Sequence, residues 1–231
     1  MVMSVRDNLE MVREAIRQAA ARCGRREEDI LLVAVTKTRP VEDVVEAVRC
    51  GVTSVGENRV QELLEKRALW PGGDEPEWRL IGHLQRNKAR KALSVASAVD
   101  SVDSPELAAA LSRIAAEEGR TLPVLLEVNT SGETTKHGVA PGEAEILLHR
   151  ILENCPALRP EGFMTIGPLT GGEKEIRRAF ALLRTICEKA RSSTGLALPE
   201  LSMGMSGDFG WAVQEGSTMV RIGSSIFGAR R

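Results

Sequence analysis

The sequence predicts an α/β fold built as one (β/α)8 TIM-type barrel with an extra N-terminal helix. Three observations predict it. Eight short apolar runs alternate with helical patterns along the 231 residues, an order that calls for parallel pairing. No Gly-x-Gly-x-x-Gly follows the first run, which removes the commonest signature of the open, doubly wound alternative. No linker or shift of composition divides the chain, and barrels of this length routinely form one domain, so a single domain over 1–231 is expected.

The elements follow in order. Ser4 and Asp7 resemble a capping box with Asp in place of Glu, and Leu9, Val12, Ile16 and Ala19 line one helical face up to Cys23-Gly24. Leu31 to Val35 reads as a strand buried on both faces. Val41, Val44, Val45 and Val48 have the spacing of an amphipathic helix that Gly51 closes. The alternation then repeats as a strand over Thr53 to Gly56 with a helix from Asn58, a strand over Arg79 to Leu84 with a helix from Asn87 to Leu93, and a strand over Ala98 to Val102. Ser104-Pro105 caps the next helix, which runs to Glu118. Val124 to Asn129 and Gly162 to Ile166 are strands five and six. Their helices carry Ala144, Leu147, Leu148 and Ile151, then Ile176, Ala179, Phe180 and Leu183. Leu201 to Met203, a helix from Asp208 to Glu215, and Met219 to Ile222 close the series; Pro71 to Pro76 and Pro168 to Gly172 read as exposed loops.

Composition narrows the function classes. A formal net charge of -1 gives no bulk attraction to nucleic acid or acidic membranes. Cys23, Cys50, Cys155 and Cys187 form no Cys-x-x-Cys pair, so neither a zinc cluster nor a dithiol redox motif is expected, and reduced thiols are the default. No apolar run approaches a signal or membrane-spanning length, so a cytoplasmic location is expected. Arg86, Lys88, Arg90 and Lys91 make a short basic run with 3% aromatics in the chain, and a solvated helix face accounts for them. His83, His137 and His149 lack metal-ligand spacing and read as surface or supporting residues.

In a barrel the strand C-termini form the functional face. Lys37 stands there at the end of strand one, where a cation must be solvated, paired or chemically used. A lone lysine at such a place ordinarily snorkels to water, but a partly desolvated amine also forms Schiff bases with aldehydes. Glu57 and Asn58, His83 and Gln85, Asn129, Met164, Ser202 to Ser206 and Gly223 to Ser225 share that rim. The last two loops have the chemistry of a barrel phosphate site: Ser202-Met203-Gly204-Met205-Ser206-Gly207-Asp208 offers hydroxyls and glycines before a helix, while Gly223 permits close backbone approach and Ser224 is a donor. Arg221 lies in the last strand, and Met219 to Ile222 do not alternate, so the sequence leaves open whether it points into the barrel or outward to an acidic helix residue. A Schiff-base lysine, a phosphate cradle and a cation at the mouth together suggest pyridoxal phosphate.

The motifs Ala34-Val35-Thr36-Lys37-Thr38, Gly56-Glu57-Asn58, Ile81-Gly82-His83-Leu84-Gln85, Val128-Asn129, Met164-Thr165-Ile166, Leu201 to Ser206 and Gly216 to Gly223 occur in this order almost end to end. On them the chain resembles the pyridoxal phosphate homeostasis protein family, relatives of the N-terminal barrel of alanine racemase. The resemblance implies a Schiff base from Lys37 to the cofactor, phosphate contacts from Ser206, Gly223 and Ser224, Arg221 facing the pyridine nitrogen, and Asn58 and Met203 beside the ring. It implies no catalytic or metal-binding residues. Thr36, Arg59 and Gly210 depart from the residues usual at their positions.

The function so implied is a non-catalytic carrier that stores, protects or delivers pyridoxal phosphate. The partners expected are the cofactor and pyridoxal-phosphate-dependent apoenzymes, with no nucleic acid, no membrane and a monomeric chain. A racemase-like enzyme is the first alternative. A two-base racemase of the alanine racemase design needs a tyrosine from a second domain, whereas this chain has no tyrosine and ends after the eighth unit. A cation opposite the pyridine nitrogen also weakens the ring as an electron sink. The second alternative, a Schiff-base aldolase, needs an acid or base near Lys37, for which Glu57, His83 and Asp208 are candidates.

Overall fold

A computed structural model describes residues 4–168 and 170–228. The outermost bounds of the expected domain, and Leu169 within the expected loop, lie outside the described residues. Eight parallel strands close into a barrel in the order of the sequence: β1 (Leu31–Val35), β2 (Ser54–Glu57), β3 (Glu77–Leu80), β4 (Ala98–Val102), β5 (Leu122–Glu127), β6 (Leu158–Met164), β7 (Glu200–Ser202) and β8 (Met219–Ile222). Closure is made by β1 and β8, which pair with Val33 opposite Arg221.

The helices are α1 (Val5–Ala21), α2 (Val41–Arg49), α3 (Val60–Ala68), α4 (Ala89–Leu93), α5 (Pro105–Glu117), α6 (Ala144–Asn154), α7 (Glu173–Thr194), α8 (Phe209–Gln214) and α9 (Ser224–Phe227). The N-terminal helix starts at the expected box: the Ser4 hydroxyl accepts from the Asp7 N–H, and the Asp7 carboxylate accepts from the Ser4 N–H, each at 3.1 Å. Its buried face, Leu9, Val12, Ile16, Ala19 and Ala20, packs against α2, α8 and α9. Among the described residues no helix is long and apolar enough to cross a membrane.

Two buried layers result. The larger apolar core lies between barrel and helices and includes Trp78, Phe163, Phe180 and Leu111. Inside the barrel, Val33, Leu125, Met164 and Met219 form a small apolar plug. Polar residues share that interior: Arg79 makes a bidentate bond to Asp100 at 2.9 and 2.7 Å, both side chains buried.

Several bounds differ from those the sequence suggests. β3 covers Glu77–Leu80 rather than Arg79 to Leu84. Ile81 to Leu84 is a loop whose apolar side chains are buried without strand pairing, with Gly82 pressed against Asn58: a Cβ there would stand 2.4 Å from the Asn58 carbonyl oxygen. β5 and β6 begin earlier, at Leu122 and Leu158, because Pro123 and the Arg159-Pro160-Glu161 stretch disguise their first residues. The helix after β2 starts at Val60 rather than Asn58, and α9 is a turn of helix that no sequence signal announced.

Candidate functional site

One cavity of about 250 Å³ opens at the C-terminal end of the barrel. Of the seven residues expected to hold a cofactor, Lys37, Asn58, Ser206, Arg221, Gly223 and Ser224 line it. Met203 does not. It is fully buried in the main core, its backbone carbonyl accepting from Ser217 Oγ at 2.8 Å. Gly204 follows with φ +96, a left-handed turn that presses the chain onto α8 and hands the lining position to Met205. Arg39 and Ile81 also line the cavity and carried no sequence signal for doing so; Arg39 donates to the Gly228 carbonyl at 2.5 Å.

Lys37 sits one residue past β1 on a turn held from beneath. Thr36 and Glu57 are fully buried, and the Thr36 hydroxyl donates to Glu57 Oε1 at 2.5 Å. Lys66 of α3 donates to the same carboxylate and, at 2.6 Å, to the Thr36 carbonyl. Burial pushes the Glu57 carboxyl up, and Lys66 beside it pulls in the other direction. On the far side of Lys37, Thr38 adopts φ +63, uncommon for a β-branched residue, and its N–H donates to Glu62 Oε2 at 2.7 Å. The Lys37 backbone is therefore bracketed by α3. Lys66 is the residue that reading by strand and loop misses, because it reaches the rim from a helix.

The two terminal loops meet at the cavity. Ser206 Oγ accepts from the N–H of Gly223 at 3.3 Å and of Ser225 at 3.4 Å, so one oxygen already rests on two converging donors. The Ser206 loop is tied by Asp208, whose carboxylate accepts from the Met205 N–H at 2.5 Å and is pushed up by burial. At Gly223 a Cβ would approach the Val35 carbonyl oxygen to 3.1 Å, which explains why the smallest residue stands there.

Arg221 resolves the choice the sequence left open: it points into the barrel. It is 4% exposed, donating to Ser202 Oγ at 2.7 Å and to the Thr165 carbonyl at 2.8 Å. Burial lowers its pKa, against the attraction of Asp100, Glu127 and Asp208. Glu127, at the end of β5, is also buried, and among the described residues its Oε2 has no hydrogen-bond partner. Burial, with Asp103 adding to it and Arg221 opposing, raises the Glu127 pKa to about 7.

Glu57, His83 and Asp208, the acid-base candidates of the aldolase alternative, do not line the cavity. His83 and His137, which linear spacing keeps apart, stack against each other because the loops after β3 and β5 converge above the barrel. His149 lies on α6 beside Glu145. Gln85 leads into a single turn over Arg86–Lys88, outside the cavity lining.

The chain is similar to known proteins. Residues 8–231 match the family model described as alanine racemase, N-terminal domain. The chain is 41% identical to the pyridoxal phosphate homeostasis protein of Mus musculus, covering 96% of this chain and 85% of that one. It is 38% identical to the protein of the same name from Aquifex aeolicus, covering 99% and 100%. Among solved structures it is similar to PipY of Synechococcus elongatus with PLP bound, at 35% identity and a TM-score of 0.84 over 97% of this chain and all of that one. Alanine racemase from Corynebacterium glutamicum shares the fold at 20% identity and a TM-score of 0.74, over 97% of this chain and 60% of that one.

Proposed function

Because the chain belongs to the pyridoxal phosphate homeostasis protein family, we propose that it binds pyridoxal 5'-phosphate through Lys37 and holds it reversibly for intracellular storage, protection or delivery. The observation that carries the reading is the convergence on one cavity of an amine and an anion cradle, Lys37 with Ser206, Gly223 and Ser224.

The donor chemistry fits that cofactor. When bound, pyridoxal phosphate supplies an aldehyde that condenses with an amine. Lys37 is the cavity lysine, on a turn that Glu57, Glu62 and Lys66 hold in place. The Gly223 and Ser225 N–H groups, now on the Ser206 hydroxyl oxygen, are the natural donors to a phosphate oxygen, with the Ser206 and Ser224 hydroxyls beside them. Arg221 keeps its guanidinium in the barrel interior through Ser202 and Thr165 and borders the cavity. As a cation it favours an unprotonated ring nitrogen, a state that disfavours carbanion chemistry. Asn58 and Met205 line the cavity beside these groups, and Met205 replaces Met203 in this role.

A carrier is favoured over an enzyme by what the cavity lining lacks. Among the described residues no His, Asp, Glu, Cys or Tyr lines it, so beyond Lys37 itself these residues offer no side chain suited to acid-base work at neutral pH. Delivery is tested by mixing cofactor-loaded protein with a pyridoxal-phosphate-dependent apoenzyme and comparing reactivation with an equal concentration of free cofactor. Transfer that keeps pace with or outruns the free cofactor supports delivery. Complete retention sinks delivery and leaves storage.

A further inference from the structure

Away from the cofactor cavity, the loops after β3, β4 and β5 bring together His83, Asp103 and His137, with one ligand-capable atom of each within 4.8 Å of the other two. His83 Nδ1 is 3.1 Å from Asp103 Oδ2, and the two imidazoles stack with centroids 3.8 Å apart and planes 8° from parallel. A neutral imidazole offers a ring-nitrogen lone pair to a cation, and the Asp103 carboxylate adds an anionic oxygen beside the two rings. Two imidazole nitrogens and a carboxylate oxygen suit borderline first-row cations, whereas magnesium and calcium prefer oxygen alone.

We propose that His83, Asp103 and His137 bind one divalent transition-metal cation of the zinc or cobalt class at the barrel mouth, separately from the cofactor. Three protein ligands leave at least one coordination position for water, as in accessible zinc sites, and both histidines are exposed enough to admit the ion. Face-to-face rings aim their lone pairs side by side rather than at one point. Binding therefore requires one imidazole to turn about its side-chain torsions, which surface exposure permits, while Asp103, 14% exposed against 36% for His83, is the anchored ligand.

The backbone beneath each ligand is held. Gly82 is locked against Asn58, Asp103 directly precedes the Ser104 cap of α5, and the loop bearing His137 is closed at its base by Val139 N–H to the Glu127 carbonyl and Asn129 N–H to the Val139 carbonyl, both at 2.9 Å. Ile81 lines the cofactor cavity, while His83, two residues later, pairs with Asp103. One loop thus serves two addresses.

The test uses untagged, cofactor-free protein, stripped of metal, with Cys23 and Cys50 replaced by serine so that the more accessible thiols do not compete. Calorimetric titration with Zn2+ is expected to show one ion per chain. In the variant carrying both His83→Asn and His137→Asn, affinity is expected to fall by more than the roughly 10- to 100-fold that loss of a ligand's supporting contact costs. Undiminished uptake of pyridoxal phosphate by that variant certifies its fold. A Co2+ spectrum of the otherwise unaltered chain showing nitrogen ligation supports the site without reference to any variant. Absence of saturable Zn2+ and Co2+ uptake, or uptake unchanged in the double variant, overturns the proposal.

Discussion

The hydroxyl oxygen of Ser206 accepts from the backbone N–H of Gly223 at 3.3 Å, linking the loop after β7 to the loop after β8 at the point where both border the cavity. The oxygen also takes the N–H of Ser225 at 3.4 Å, so the donors proposed for a phosphate are pre-aimed before any ligand arrives. Ser206→Ala removes one hydroxyl contact but leaves those N–H groups free to turn to water at the rim. Equilibrium dialysis is expected to show cofactor affinity lowered about tenfold, roughly 1.4 kcal/mol. The unfolding midpoint should barely move. Unchanged affinity would place the phosphate elsewhere.

Lys66 makes a different prediction, because its partner cannot reach water. Glu57 is fully buried, and Lys66→Met leaves its carboxylate without a cation, while the Thr36 carbonyl keeps only the Arg39 N–H. Breaking such a pair costs about 3–5 kcal/mol, whereas replacing both partners by apolar residues costs far less. Urea unfolding of Lys66→Met, Glu57→Leu and the double variant should therefore be strongly non-additive, with the double variant more stable than Lys66→Met. Additive losses would mean that the pair does not act as a unit.

Glu127 carries a pH dependence. Its pKa of about 7 in the fold stands above the ordinary value of 4.5, so the folded protein binds a proton that the unfolded chain has released between those values. That contribution to stability is full below pH 4.5 and is lost as pH rises through about 7, a change on the order of 3 kcal/mol. Glu127→Gln holds the neutral form permanently and is expected to flatten this fall. Denaturant unfolding at pH 5 and pH 8 measures it; equal slopes in both proteins would mean that Glu127 ionises normally.

The parts of this molecule that are legible in sequence are those set by local pattern. β1, β4 and β8 run over the residues their apolar stretches indicate, and α5 begins at Ser104-Pro105 because capping is a short-range device. The two terminal loops that border the cavity are legible for the same reason: hydroxyls and glycines stand at fixed places in each. What was hidden depends on closure of the barrel. Arg221 becomes an inward cation only when Ser202 and the Thr165 carbonyl are brought to it, and Lys66 becomes a partner of Glu57 only when α3 docks. Ile81 to Leu84 resembled a strand because burial, not pairing, selects apolar residues there. Met203 and Met205 stand two residues apart in one motif, and the left-handed Gly204 between them decides which one faces the cavity.

The central claim is that Lys37 holds the cofactor. The most direct measurement is borohydride reduction of the protein after incubation with pyridoxal phosphate, followed by peptide mass spectrometry of the intact sequence and of Lys37→Ala. One pyridoxyl group per chain is expected, located on Lys37, with loss of stoichiometric labelling in the variant. A label on another lysine in the intact sequence, or undiminished labelling of Lys37→Ala, would contradict it.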